Sequence, residues 1–406
     1  MRVKAVRFAC VAVLLAGAAA PAFAEPLSVK PIIDTRLRYE YVDQDFDRDA
    51  DAVTARLRAG AIFSSGDWTL LAESEATLAI SERYDSGVSG KTGFPIVADP
   101  ENVELNRLEV QYRGLPKTLV TVGRQRINLE DQRLVGSSGW RDNEQTFDAV
   151  RLEYGDAKSV KADLTYSWSV RTIWGIDGRD ARQQAIGGNN VFATISHPTV
   201  LGTLSGFAII VDQDEARVQG FRLSSQTYGL RLAGSRKLSP AAKLNYVLSY
   251  ASQSDHHHNP NSYRADYWLV DLGIEFGAAK LGLGHERLGA DQGLPLTSFQ
   301  TPLATLHKFQ GWADKFLTTP PNGLRDLYAS GGYGWKSVAG FDAINAAVVY
   351  HRFDSDRLDI AYGSERDAML SAKRGRWTAT AKLADYHAKR FATDTRKIWL
   401  MLEWAY

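Results

Sequence analysis

Residues 395–406 read T-R-K-I-W-L-M-L-E-W-A-Y. Ile398, Leu400, Leu402, Trp404 and Tyr406 share one parity; Lys397, Trp399, Met401, Glu403 and Ala405 share the other. Period two marks a β-strand rather than a helix. One face is wholly apolar and ends on two aromatics. The other carries a cation and an anion. In a soluble protein such a strand is an edge, and a bare apolar edge invites aggregation. Pairing with the first strand would close a barrel, and lipid outside with water inside would explain both faces. A C-terminal aromatic on the lipid-facing parity has the form of the closing strand of a bacterial outer-membrane barrel. That strand is the expected handle for barrel-assembly machinery.

The N-terminus points to the same compartment. Arg2, Lys4 and Arg7 form a positive region, residues 9–20 are apolar, and Ala22-Phe23-Ala24 is a small-x-small cleavage site. Residues 1–24 therefore read as a secretory signal peptide, too short to span a membrane as a helix, and 25–406 as the mature domain. Cys10 is the sole cysteine, so the mature chain is expected to have no disulfide and no thiolate chemistry. A formal net charge of +1 argues neither for nor against nucleic acid, which is not expected as a partner. The 34 glycines and 11% aromatics suit a membrane barrel, but also a secreted soluble β-protein.

Working back along the chain, one unit repeats. Leu57, Ala59 and Phe63 alternate with Arg56 and Arg58; Leu70, Ala72 and Leu78 alternate with Glu73 and Glu75. Val160, Ala162, Leu164, Tyr166, Trp168, Val170, Thr172 and Trp174 form one continuous face, long enough for a tilted membrane-crossing strand. Short turns recur at 64–67, 114–117, 155–158, 198–202, 238–240, 277–280, 338–340 and 373–375. Longer segments recur at 43–51, 83–102, 128–145, 177–189, 212–221, 252–262, 291–323 and 388–394, with one more connection near 354–357. The pattern predicts an all-β, transmembrane, antiparallel up-and-down β-barrel of about 18 strands, with short periplasmic turns and longer extracellular loops. Trp68, Tyr112, Tyr154, Trp168, Trp174, Tyr228, Trp268, Trp377 and Trp404 sit near the ends of apolar faces and are expected to form two aromatic girdles against outer-membrane lipid.

If the apolar parity faces lipid, the other lines the lumen. It carries Arg36, Arg38, Arg56, Arg58, Arg107, Arg113, Arg151 and Arg231. Arg124 and Arg126 share parity with Val120 and Val122; they are placed inside because an arginine at the bilayer midplane costs roughly 2–4 kcal/mol. The i, i+2 recurrence on neighbouring strands stacks the arginines into a ladder. Guanidinium holds carboxylate bidentately, so such a row could hand an anion from site to site. The competing reading pairs these arginines with Glu40, Glu73, Glu75, Glu109 and Glu153.

Residues 123–152 and 301–328 carry a resemblance. Gly123-Arg124-Gln125, Asp131-Gln132-Arg133, Gly136-Ser137, Gly139-Trp140-Arg141, Phe147-Asp148-Ala149-Val150-Arg151, Thr301-Pro302-Leu303-Ala304 and Gly311-Trp312-Ala313-Asp314 resemble the alginate export porin family of Gram-negative outer membranes. The resemblance implies a monomeric eighteen-stranded barrel with a narrow, electropositive, arginine-lined pore. By position it puts Arg124, Arg126, Arg133, Arg141 and Arg151 in or above that pore. It implies passage of an anionic polysaccharide or acidic oligosaccharide such as alginate. The short turns and the lack of a long periplasmic insertion suit a diffusion porin for small organic anions or sugars equally well. Without the name, Gly136 and Gly139 read as allowing a sharp reversal, Asp131, Asp142 and Asp148 as bracing nearby arginines, and Trp312 and Phe316 as packing the long loop into the barrel mouth.

Other classes fare worse. His197, His285, His307, His351 and His387 are scattered and no G-x-S-x-G elbow occurs, so no catalytic residue is expected. His256-His257-His258 reads as a solvated loop tip, and no metal or other cofactor is expected. A soluble polysaccharide-binding solenoid predicts an internal repeat of fixed period, and none is found.

Overall fold

The computed structural model describes residues 25–46, 48–156 and 158–406. The signal-peptide reading of residues 1–24 lies outside them, as do Asp47 and Ala157 within a predicted loop and turn. The described residues form eighteen strands: β1 (Ser28–Gln44), β2 (Ala50–Ser65), β3 (Trp68–Arg83), β4 (Asn102–Tyr112), β5 (Thr118–Gln125), β6 (Thr146–Tyr154), β7 (Lys161–Arg171), β8 (Ala185–Thr199), β9 (Gly202–Val211), β10 (Ser225–Lys237), β11 (Ala242–Asp255), β12 (Arg264–Phe276), β13 (Ala279–Leu288), β14 (Leu324–Val338), β15 (Phe341–Asp354), β16 (Ala361–Arg374), β17 (Trp377–Ala388) and β18 (Thr395–Ala405).

Each strand pairs antiparallel with the next, and β18 pairs with β1 from Asp34↔Ala405 to Gln44↔Thr395. The Tyr406 N–H donates to the Ile33 carbonyl at 2.9 Å, so the seam is bonded to its last residue. Among the described residues no strand is left with an open edge, which satisfies each strand without water. The predicted strand count and the alternation of short and long connections both hold.

Alternation sorts the wall. Leu37, Leu57, Leu108, Leu164, Leu230 and Leu400 stand outward, exposed along the barrel, while Arg38, Glu40, Arg56, Glu75 and Trp399 are buried inside. So much exposed leucine would be an aggregation hazard in water and is ordinary against lipid. Trp68 with Tyr112 (centroids 4.5 Å apart) and Trp377 with Trp404 (6.5 Å) ring the short-turn end. Trp168, Tyr228 and Trp268 occupy the long-loop end.

Bulges break the parity in places. One between Ser167 and Ser169 turns Val170 inward, where it is 3% exposed, so the face predicted to run from Val160 to Trp174 ends at Trp168. Trp174 leaves the strand for a loop, where the Arg182 guanidinium lies 4.9 Å from its ring, and it takes no part in the girdle.

The core lies within the lumen. Two loops, 126–145 after β5 and 289–323 after β13, fold inward and meet. Val135 bridges Leu303, and the Gly136 N–H donates to the Leu303 carbonyl at 2.8 Å. Ile127, Leu129 and Val135 pack on Phe147, Phe192 and Ile209 of the wall. Phe299, Ala313 and Phe316 pack on Phe353, Tyr362, Tyr386 and Trp399. Much of the apolar content of both loops is thereby buried, as Trp312 and Phe316 foretold, although Leu294 and Leu317 stay exposed. Gly139 lies inside a turn that the Arg141 N–H closes on the Ser138 carbonyl at 2.9 Å, while Gly136 forms no reversal; the left-handed residues of the loop are Glu130, Gln132 and Ser138. Gly136 serves close approach instead, since a Cβ there would stand 2.3 Å from Thr305 Oγ1.

Candidate functional site

The first loop is clamped by arginines. Register places Arg36 opposite Arg56 on β1 and β2, as a ladder requires. Their guanidiniums, however, face the protein itself. Arg36 donates to the carbonyls of Trp140 (2.8 Å) and Gly139 (3.2 Å) and to Glu403 (2.8 Å). Arg38 donates to Asp99 (2.8 Å) and to the Trp140 carbonyl. Arg56 meets Asp34, and Arg58 meets Glu75. Asp142 in this loop accepts from Thr54 Oγ1 at 2.5 Å. Burial opposes its charge, but Arg38 and Arg36 overcome that and hold the carboxyl below the usual carboxylate range. Its neighbour Asp99 is pushed the other way by burial and by the Asp142 charge.

The second loop is seated through its backbone. The Ala313 N–H donates to Glu365 Oε1 at 2.7 Å and the Trp312 N–H to Asp367 Oδ2 at 3.3 Å. Gly311 is required here: its φ is +80°, and a Cβ would meet the Glu365 carboxylate at 2.4 Å. Asp314 completes the seat, accepting from Arg141 (2.9 Å), Lys397 (3.2 Å) and His307 Nδ1 (2.8 Å). Burial disfavours its charge, yet His307, Lys397 and Arg141 hold its carboxyl well below the usual range. Burial, then Lys382, push His307 down to about 3, so the imidazole is neutral at physiological pH.

Where the loops meet, the lumen narrows. Trp140 stacks on His307 at 4.1 Å, and both meet Trp399 edge-on. Lys382 Nζ sits 3.9 Å from the ring centroids of Trp140 and Trp312 and 2.8 Å from His307 Nε2. Trp140, Thr305 and His307 border two chambers. The outer one, about 820 Å³, opens among the long loops. It presents Arg141, Arg179, Arg182, Lys315 and Lys397 against Asp85, Asp180 and Asp314, an excess of two cations. The inner one, about 860 Å³, presents Arg36, Arg231, Lys308 and Lys382 against Asp131, Asp271, Glu286, Asp326 and Glu403. A third space of about 560 Å³ near the short turns presents Arg113, Lys117, Arg151 and Lys161 against Glu130, Glu153 and Asp163.

The predicted arginines divide accordingly. Arg36, Arg38, Arg56, Arg58, Arg133 and Arg141 are buried inside; Arg133 meets Glu286 at 2.6 Å. Arg107 and Arg126 converge on Glu73 at 2.6 and 3.4 Å. Arg151 meets Asp163, and Arg231 meets Asp131 at 3.2 Å. Arg113 stands in a turn at the rim of the third space. The placement of Arg124 is corrected. It pairs in register with outward Leu108 and with Asp148, and donates bidentately to Asp148 at 2.8 and 3.0 Å on the outer face. It sits one residue from the long-loop end of β5, where an ionic group on the lipid face costs roughly 0–1 kcal/mol.

Lys382, His307, Trp140 and Lys397 were missed because arginine spacing was the signal followed. A trace existed: Lys382 is the single inward cation on β17, among Thr378, Thr380 and Ala384. Away from this site, Asp212, Asp214 and His257 bring ligand atoms within 4.8 Å of one another. Of the consecutive histidines, His257 is the one turned to Asp212, at 2.9 Å, with His258 packed on its ring.

The family profile described as Alginate export matches residues 30–293, more than half of the chain. The chain belongs to the alginate export family. No curated protein matches its sequence. Among solved structures it is similar to Pseudomonas aeruginosa OccK9 (OpdG), with TM-score 0.68 at 15% identity, covering 93% of this chain and 98% of that one. It is similar to Pseudomonas aeruginosa OpdK with vanillate, with TM-score 0.65 at 14% identity over 93% and 98%. Acinetobacter baumannii OccAB4 aligns with TM-score 0.65 at 13% identity over 95% and 100%. These likenesses carry the fold: this alginate export family member is an eighteen-stranded outer-membrane porin barrel.

Proposed function

We propose that this porin is a diffusion channel for small organic anions, acidic sugars among them, rather than a conduit for long anionic polysaccharide. The observation that carries the reading is the meeting of loops 126–145 and 289–323 inside the lumen, bridged at Val135 and Leu303. It leaves chambers of about 820 and 860 Å³ on either side of a narrow, cation-bearing waist. Each is the size of a small-molecule site, and a polymer would have to unseat both loops. The cation excess of the outer chamber favours anions at the entrance. The structurally similar OpdK was solved with vanillate, itself a small organic acid, which supports the reading by analogy of fold alone. The channel needs no catalytic group and no cofactor.

The test is planar-bilayer recording of the purified barrel in a salt gradient, followed by titration of glucuronate, benzoate and alginate chains. Anion-selective current reduced by the small acids, with no passage of long chains into loaded vesicles, is expected. Polymer passage, or cation preference, would overturn the reading.

A further inference from the structure

Lys382 differs from the arginines around it in what it touches. Arg36, Arg38, Arg133 and Arg141 each face a carboxylate. Lys382 faces two indole rings and an imidazole nitrogen. The charge on Asp314 decides the state of that imidazole. Asp314 lies 2.8 Å from His307 Nδ1, so Nδ1 carries the proton and donates. Nε2 is therefore the acceptor, and the Lys382 ammonium donates to it at 2.8 Å. Asp314 thus meets Lys382 by hydrogen bonds through a neutral ring, which orients the ammonium. A cation–π contact is weaker than a charge-assisted hydrogen bond to a carboxylate. An arriving anion can displace such a contact and later surrender it, as conduction requires.

We propose that Lys382 is the specificity-determining cation of this porin, taking the carboxylate of a ring-bodied monocarboxylate while Trp140 and Trp312 hold the ring. The proposal rests on the small-anion reading above. The inner chamber suits the body of such a solute: Phe309, Leu269, Met369 and Met401 line it beside the two indoles. A sugar acid and an aromatic acid share this chemistry; glucuronate and benzoate separate them, and acetate tests the need for a ring.

The experiment uses Lys382→Cys in the full barrel, since Cys10 is the only other cysteine in the chain. Reversal potential and acid block are read before and after 2-aminoethyl methanethiosulfonate, which restores an ammonium, and after the neutral methyl reagent. Expected is a several-fold fall in anion preference and in block by glucuronate or benzoate, with acetate weak throughout. The cationic reagent recovers both and the neutral one neither. Selectivity indifferent to charge at position 382, or a variant whose only change is larger conductance, would overturn the proposal and make Lys382 a strut. If the cysteine variant does not assemble, Lys382→Arg against Lys382→Met decides: equal selectivity overturns the proposal. A wild-type barrel without anion preference sinks the small-anion reading, whereas an anion-selective barrel insensitive to residue 382 sinks this proposal alone.

Discussion

The indole of Trp140 and the imidazole of His307 lie nearly parallel, 8° apart in plane and 4.1 Å between centroids. One belongs to the loop after β5, the other to the loop after β13. Each loop is fastened to a different part of the wall, and this stack joins them at the waist.

Trp140→Ala removes the stack, the Lys382 cage wall and the contact with Trp399 together. Large-to-small changes of this kind cost roughly 3–5 kcal/mol in a packed site. The barrel, held by its strand pairing, is expected to assemble normally. Single-channel recording should show larger, flickering conductance as the two loops separate.

Gly311→Ala should unseat the second loop by itself. A left-handed backbone costs a residue with a Cβ roughly 1–2 kcal/mol, and that Cβ would press on the Glu365 carboxylate. Gly139→Ala is the control, because no atom lies within 4 Å of a Cβ built there. Raised protease sensitivity in residues 289–323 for the first variant and not the second is the expected result.

Acid should loosen the same seat. His307 is held down to about 3 by burial and Lys382, below its ordinary value. The unseated loop therefore binds the proton first as pH falls below about 6.5, the ordinary histidine value. Stability of the docked loop is complete above that range and is lost progressively towards pH 3. Asp314, whose carboxyl is also depressed, adds loss in the same direction below the usual carboxylate range. Conductance noise rising on acidification in the wild type, and absent in His307→Gln between pH 6 and 4, checks the assignment.

Alkali acts on the outer chamber instead. Burial and Lys397 lower Lys315 to about 8. As pH rises through that value the side chain loses its charge, and the outer chamber's excess of two cations falls to one. Anion preference should decline between pH 7 and 9, and Lys315→Arg should lessen that decline.

Arg124 and Arg151 are expected to part company. Arg124→Ala breaks a pair with Asp148 on the lipid side, so heat stability falls while reversal potential stays unchanged. Arg151→Gln removes a cation from the space near the short turns and should lower anion preference with little effect on assembly.

The barrel was legible in the sequence because a wall between lipid and water forces period two on every strand, and turns of two lengths mark its two ends. Val170 escaped because one bulge reverses parity without changing composition. Arg124 escaped because its placement assumed midplane depth, whereas Asp148 neutralises it near the rim. The waist was only half legible. Trp312 and Phe316 announced a packed loop, but its partners lie on strands far along the chain. Part of its seat is made of backbone N–H groups, which leave no side-chain pattern to read. The arginine spacing was real, yet Arg36, Arg38, Arg133 and Arg141 fasten loops, and Arg56, Arg58, Arg107 and Arg151 pair with carboxylates of the wall.

That main-chain seat also governs how such a channel can change. Carboxylates of Glu365 and Asp367 grip the peptide of residues 312 and 313, not their side chains. Changes at Lys308 and Phe309 leave those two main-chain bonds in place. A library randomised at those two positions should yield barrels of unaltered architecture and diverse appetites, with Gly311 the position that tolerates no replacement.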